Sequence, residues 1–277
     1  MIRLIISISI LLLIISCENR NSCINSGEKH FANMEYQKAI DVFTNCIVAD
    51  SLDQKAITYR AASFCNIGKY KKAFQDIQLA YEIDSTSSFL LNIMGTYYFQ
   101  IDSMGLSNYY FNRALIYDPD NELAYNNLAV NAIDIEKYGL AEQYIDSALM
   151  LEPDDAGLMT NRSIIFWNLN KIDSALLELN NAIKLAKTTE RKVAVLYTRG
   201  KIYQDIEEFE KAIADFTKLL MLNKNHKQTY YKRALVYVRL KEYDLALKDF
   251  KSAKKLNIDE NVDLMIEETN KLKKNGG

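Results

Sequence analysis

Proline is almost missing from this chain: Pro119 and Pro153 are the two in 277 residues, and glycine numbers nine. Average soluble chains carry about 7% glycine and about 5% proline, so a fold built on many sharp turns is disfavoured and long helices are expected. Histidine is as scarce. His30 and His226 have no partner at metal-ligand spacing, so no metal site is expected. GxSxG, HExxH and glycine-rich phosphate loops are all missing, and carboxylate pairs such as Asp154 and Asp155 fall in turns where helix capping accounts for them. No catalytic residue, cofactor or small-molecule substrate is therefore expected. An excess of one charge is missing too. With 34 Lys+Arg against 36 Asp+Glu, nothing draws the whole chain toward nucleic acid.

One long apolar run is present, at the start. "MIRLIISISILLLIISC" has a single basic residue, Arg3, then an apolar stretch from Leu4 to Ile15 interrupted only by Ser7 and Ser9. That is short for a bilayer span and suits the apolar core of a secretory signal. The ending "IISC" resembles the lipobox of bacterial lipoproteins. The resemblance implies a signal peptide over 1–16, with Cys17 as the lipidated N-terminus and 17–22 as a short linker. An ordinary signal cleaved at another residue would account for the same run. "ENRNS" after Cys17 reaches at most about 17 Å, so a lipid anchor would hold the folded part close to the membrane.

The rest of the chain repeats. Small residues recur at Ala39, Ala73, Ser107, Ala141, Ala175, Ala212 and Ala246, separated by five intervals of 34 and one of 37. Twelve positions before each stands another small residue: Gly27, Ala61, Gly95, Ala129, Ser163, Gly200 and Ala234. Large apolar residues hold a third register, Phe43, Ile77, Phe111, Ile145, Leu179, Phe216 and Phe250. Small side chains let two helix backbones approach, and large ones fill the space beside the contact. Each unit is thus expected to be a pair of antiparallel amphipathic helices. Pro119 and Pro153 fall where a second helix ends and the chain must turn. The three residues added at "KLAKTTERKVAVLY" are nearly one helical turn, so phase survives while the stack bends or a helix projects.

This pattern resembles the tetratricopeptide repeat family, whose units are 34-residue helix–turn–helix hairpins. The resemblance implies an all-α, right-handed α-solenoid with seven units over 23–257, and a capping helix and tail over 258–277. Val262, Met265, Ile266, Thr269 and Leu272 share one face of that last helix, which suits a cover for the open end of a solenoid. In the family the first helix of each unit lines a concave groove that holds peptide segments. Carried over by register, the fifth position gives Asn92, Asn126, Tyr197 and Tyr231; Asn161 is at the sixth, and Phe99 and Trp167 are at the twelfth. The asparagines could each offer a donor and an acceptor to an extended backbone, and the aromatics could supply rigid contact area. Packing between neighbouring units is the other role open to them. The family's clamp for chaperone C-terminal carboxylates needs lysines that those positions lack, so that ligand is not expected.

Cys23 and Cys46 fall on the two helices of the first unit at facing levels. They suit either a disulfide in an oxidising setting or two small buried thiols. Charge is laid out unevenly: Asp118 to Asp155 carries ten acids and one base, Lys227 to Glu260 nine bases and five acids. Solvated helix faces account for such runs, and steering of a partner is the functional alternative. The expected protein is a non-enzymatic, lipid-anchored adaptor of the bacterial envelope, facing the periplasm or exterior and binding a protein or peptide in its groove. The alternative is an intracellular or membrane-anchored regulator with a signalling or nucleic-acid-associated partner.

Overall fold

A computed structural model describes residues 21–258 and 261–275. The signal segment and Cys17 lie outside the described residues. Among those described there are fifteen helices and no strand. A first helix, α1, covers residues 21–32, so residues 21 and 22 are already helical rather than linker. It is followed by α2 (Tyr36–Ala49), α3 (Gln54–Asn66), α4 (Tyr70–Ile83), α5 (Ser88–Gln100), α6 (Met104–Tyr117) and α7 (Glu122–Asp134). Then come α8 (Tyr138–Leu151), α9 (Ala156–Asn168), α10 (Ile172–Leu185), α11 (Thr189–Asp205), α12 (Phe209–Leu222), α13 (Lys227–Arg239), α14 (Tyr243–Lys255) and α15 (Val262–Asn275). The chain divides between Asn131 and Ala132 into two compact units.

Within each unit the first helix of a copy packs most closely on its own second helix, as α5 does on α6 and α11 on α12. First helices of successive copies also touch, α3 with α5 in the N-terminal unit, α9 with α11 and α11 with α13 in the C-terminal one. The small–large pairing is a match of size. A Cβ placed on Gly27, Gly95 or Gly200 would come within 2.4, 2.5 or 2.6 Å of Phe43, Phe111 or Phe216. Where the facing residue is aliphatic the first helix carries one or two more heavy atoms: Ala61 shares a buried cluster with Ile77, and the fully buried Ser163 and Leu179 hold the same two positions in a later copy. Close packing leaves no room for both members to be large.

Turns follow the same period. Between first and second helix one residue always takes positive φ: Met34, Gly68, Asp102, Glu136, Asn170, Glu207 and Lys241. A glycine fills that place once. The other six hold a left-handed conformation that costs roughly 1 kcal/mol or more in a side-chain-bearing residue, and two backbone bonds fix each, as Asp102 N–H to Phe99 O and Ser103 N–H to Tyr98 O do. Four first helices begin on side-chain caps, where Asp53, Ser87, Asp155 and Thr188 accept from backbone N–H groups of the first turn, whereas His226 before α13 makes no such bond. The long interval resolves as a longer helix. α11 has 17 residues where α9 and α13 have 13, with the extra turn at its N-terminus.

Cys23 and Cys46 are joined by a disulfide across the first copy, with Cα atoms 5.9 Å apart. Cys65 is free and buried, and burial pushes its thiol up to about 12, which keeps it unreactive.

Candidate protein-binding faces

The first helices of successive copies stand side by side, so their fifth positions lie next to the turn that opens the following copy. In α5 that residue is Asn92. Its side chain is 4% exposed and its Nδ2 donates to Asn121 Oδ1 at 2.8 Å. Asn121 in turn caps α7 by accepting from Ala124 N–H and donates to Ser88 Oγ at 2.5 Å. Asn92 ties one copy to the cap of the next through its amide nitrogen, while its buried Oδ1 has no hydrogen-bond partner among the described residues. In the C-terminal unit the same register puts Tyr197 beside His226, ring centroids 5.2 Å apart, with a second ring contact to Phe216. Tyr231 meets Phe250 edge-on at 5.5 Å. These two tyrosines are half-buried and spend part of their area on packing. Asn126, Asn161 and Phe99 are also half-buried.

Trp167, near the end of α9, is half-buried like the others and packs against the core of its unit, and Lys201 on α11 places its ammonium 5.0 Å from the ring centre. Burial, and then the neighbouring Lys232 charge on α13, hold the Lys201 ammonium below its ordinary value. Gln204, one turn beyond Lys201, has a buried Oε1 with no hydrogen-bond partner among the described residues. Lysines absent from the positions expected of a carboxylate clamp are thus present on the same helices at neighbouring positions. An aromatic plate and a cation meet here in the C-terminal unit, with Lys232 and the Asp205 carboxylate both close enough to act on that cation. That combination can hold an extended segment by stacking and by charge.

Sequence inspection missed a second repeated device. Arg60 makes a two-bond fork with Asp76, both bonds 2.7 Å, and its remaining nitrogen reaches Thr44 Oγ1 on the preceding copy at 3.3 Å. Arg199 does the same with Asp215 and Asn180, all three at 2.7 Å. Arg233 takes Asp249 and Thr217, and Arg162 takes Glu178 and Asp146. The signal was available, since every arginine stands directly before the small residue of its first helix and sixteen positions before its acid. Where the arginine is missing, so is the acid: Ser26 goes with Val42, Met94 with Tyr110, Leu128 with Tyr144. A buried charge without its partner is costly, so the two positions change together. The fork holds first helix, second helix and preceding copy at one point.

His30 pairs with Glu35 at 2.5 Å at the end of its own helix, and His226 Nδ1 lies 2.8 Å from Thr229 Oγ1 in a turn. Among the described residues no group of His, Cys, Asp and Glu could hold a metal ion. A cleft of about 280 Å³ opens beside the extra turn of α11, lined by Glu152, Asp154, Asp155, Lys187, Thr188 and Arg191. Its charges answer one another, as Arg191 and Asp155 do at 3.5 Å, and Arg191 lies against Gly157.

Stacked helical hairpins bearing polar and aromatic side chains on their first helices define an all-α scaffold of the tetratricopeptide type. The tetratricopeptide repeat family model matches residues 193–226 and 227–257. A tetratricopeptide repeat protein from Parabacteroides merdae is similar over 92% of this chain and 99% of its own, with TM-score 0.65 and 18% identity. Yeast Tom70 is similar over 93% of this chain and 54% of its own, at TM-score 0.66 and 18% identity. PilW, a type IV pilus biogenesis factor, is similar over 75% and 94%, at TM-score 0.59 and 17% identity. At such identities the likeness is one of fold. No curated protein matches the sequence.

Proposed function

We propose that this chain is a non-enzymatic adaptor, exported and held at a bacterial membrane through lipid on Cys17, that binds an extended protein segment along the face of its first helices. The observation that carries the binding role is the pair of Trp167 and Lys201. A partly buried indole with a cation over it is rigid contact area of the kind found at recognition hot spots. Lys232 on α13 adds a second cation beside it. The disulfide between Cys23 and Cys46 supports export, because such bonds persist in oxidising compartments and are rare in the cytosol. The apolar run ending at Cys17 supports the anchor. No helix among the described residues is long and apolar enough to cross a membrane.

A photo-crosslinking residue placed at Trp167 or Lys201 in living cells should trap a protein, and one at the exposed Lys251 should not. Equal adducts at all three sites, or none at the first two, would remove the face from consideration. Palmitate labelling that survives Cys17→Ser would remove the anchor and leave the binding role standing.

A further inference from the structure

Helix α6 departs from its counterparts. Its fourteen residues, MGLSNYYFNRALIY, contain one charge, Arg113, whereas α12 carries four and α14 six. On its solvent side Leu106 is 45% exposed, Tyr109 53%, Ile116 73% and Tyr117 47%. Arg113 stands in their midst with its guanidinium 5.9 Å from the ring centres of Tyr109, Tyr117 and Tyr81, the last on α4. One of its nitrogens donates to Tyr81 Oη at 2.9 Å and another to Ser85 O at 3.4 Å. Tyr110, at the place where other copies have the acid of the arginine fork, stacks on Tyr98 with ring centres 5.3 Å apart. Tyr109 meets Tyr110 edge-on at 5.0 Å.

Every other described arginine has a carboxylate. Arg60, Arg162, Arg191, Arg199, Arg233 and Arg239 pair with Asp76, Glu178, Asp155, Asp215, Asp249 and Glu207. Arg113 is held by neutral groups alone, so its positive charge is fixed in place without being answered. Tyrosine and arginine are also the residues that carry most binding energy where proteins meet. We infer that the solvent side of α6, with Tyr81 of α4, is a second docking surface, one that takes a protein segment presenting a single carboxylate among apolar side chains. The carboxylate completes the guanidinium, and the apolar flanks cover Leu106, Tyr109, Ile116 and Tyr117. An anionic membrane or a nucleic acid needs several cations in a field. Here there is one, followed by Asp118 and the exposed Asp120, which favours a protein. The surface lies on second helices, so it stands independently of the first-helix face.

The test uses the full chain in detergent against an immobilised heptapeptide library with Glu, Gln or Lys at the centre and random apolar flanks. Glu-centred peptides should be retained about tenfold better than Gln-centred ones, a charge-assisted pairing. Arg113→Gln should abolish that preference, Arg113→Lys should restore part of it, and Tyr109→Ser with Tyr117→Ser should weaken retention whatever the centre. All four side-chain changes are at exposed or half-exposed positions, and unchanged thermal melting confirms that each variant folds. The inference is overturned if Glu and Gln centres bind alike or if the variants behave as the parent. It is overturned as well if phosphatidylglycerol vesicles bind in place of peptide, or if sedimentation shows self-association that Tyr109→Ser abolishes.

Discussion

The third and sixth copies share one packing solution and differ at the position beside it. Both set a glycine against a phenylalanine, Gly95 on Phe111 and Gly200 on Phe216, with no room for a Cβ between them. One residue earlier the third copy has Met94 and Tyr110, the sixth Arg199 and Asp215. In the sixth copy the fork, further tied to Asn180, is buried, with side chains 16% and 8% exposed. In the third copy Tyr110 turns to Tyr98 and joins an aromatic surface that reaches solvent. Steric fit is thus what every hairpin must satisfy. The neighbouring position is negotiable, provided both of its members change, and of the three copies without the fork the third has a Tyr/Arg patch on its outer side.

The comparison breaks first at the fork. Arg199→Met alone should cost about 3–5 kcal/mol by stranding Asp215, as removal of one partner of a buried pair does. Arg199→Met with Asp215→Tyr, copying the third copy, should return to within about 1 kcal/mol of the parent in urea unfolding. A double variant as unstable as the single one would show that the fork is not exchangeable. Next in size, Gly95→Ala and Gly200→Ala should each cost about 1–3 kcal/mol, because both force a methyl into a phenylalanine ring. Unequal costs would mean that the two copies are not packed alike.

The smallest effect sharpens the contrast at the turn that opens the following copy, where Asn121 caps α7 and His226 precedes α13 without a side-chain cap. Burial holds the His226 imidazole below its ordinary 6.5, so the folded chain disfavours its proton. Its contribution is whole above pH 6.5 and is lost as pH falls below that through the folded value. The urea midpoint should fall between pH 7 and pH 5, and His226→Gln should flatten that slope. An unchanged slope would assign the acid sensitivity elsewhere.

Much of this fold was open to reading from the chain alone. Intervals of 34, the small and large registers and the extra residues before α11 are local or periodic properties, and each became a hairpin, a size match or an added helical turn. The left-handed turn residues were not readable, because six of the seven are Met, Asp, Glu, Asn or Lys, and backbone bonds on both sides impose the conformation. Of the groove residues, Trp167 meets Lys201 of the next copy, and Asn92 gives its amide nitrogen to the cap of the next copy, a partner 29 positions away. The Lys201 and Lys232 coupling and the unanswered Arg113 were also invisible, since they depend on which helices meet.

The order of residues, then, determined that this protein is a run of helical hairpins and how large each facing side chain can be, because hydrophobic period and side-chain volume act within one repeat. Tertiary structure decided which polar side chains are spent on tying copies together and which still face water. That division is set by neighbours distant in sequence, whose approach buries one asparagine and leaves an arginine among tyrosines.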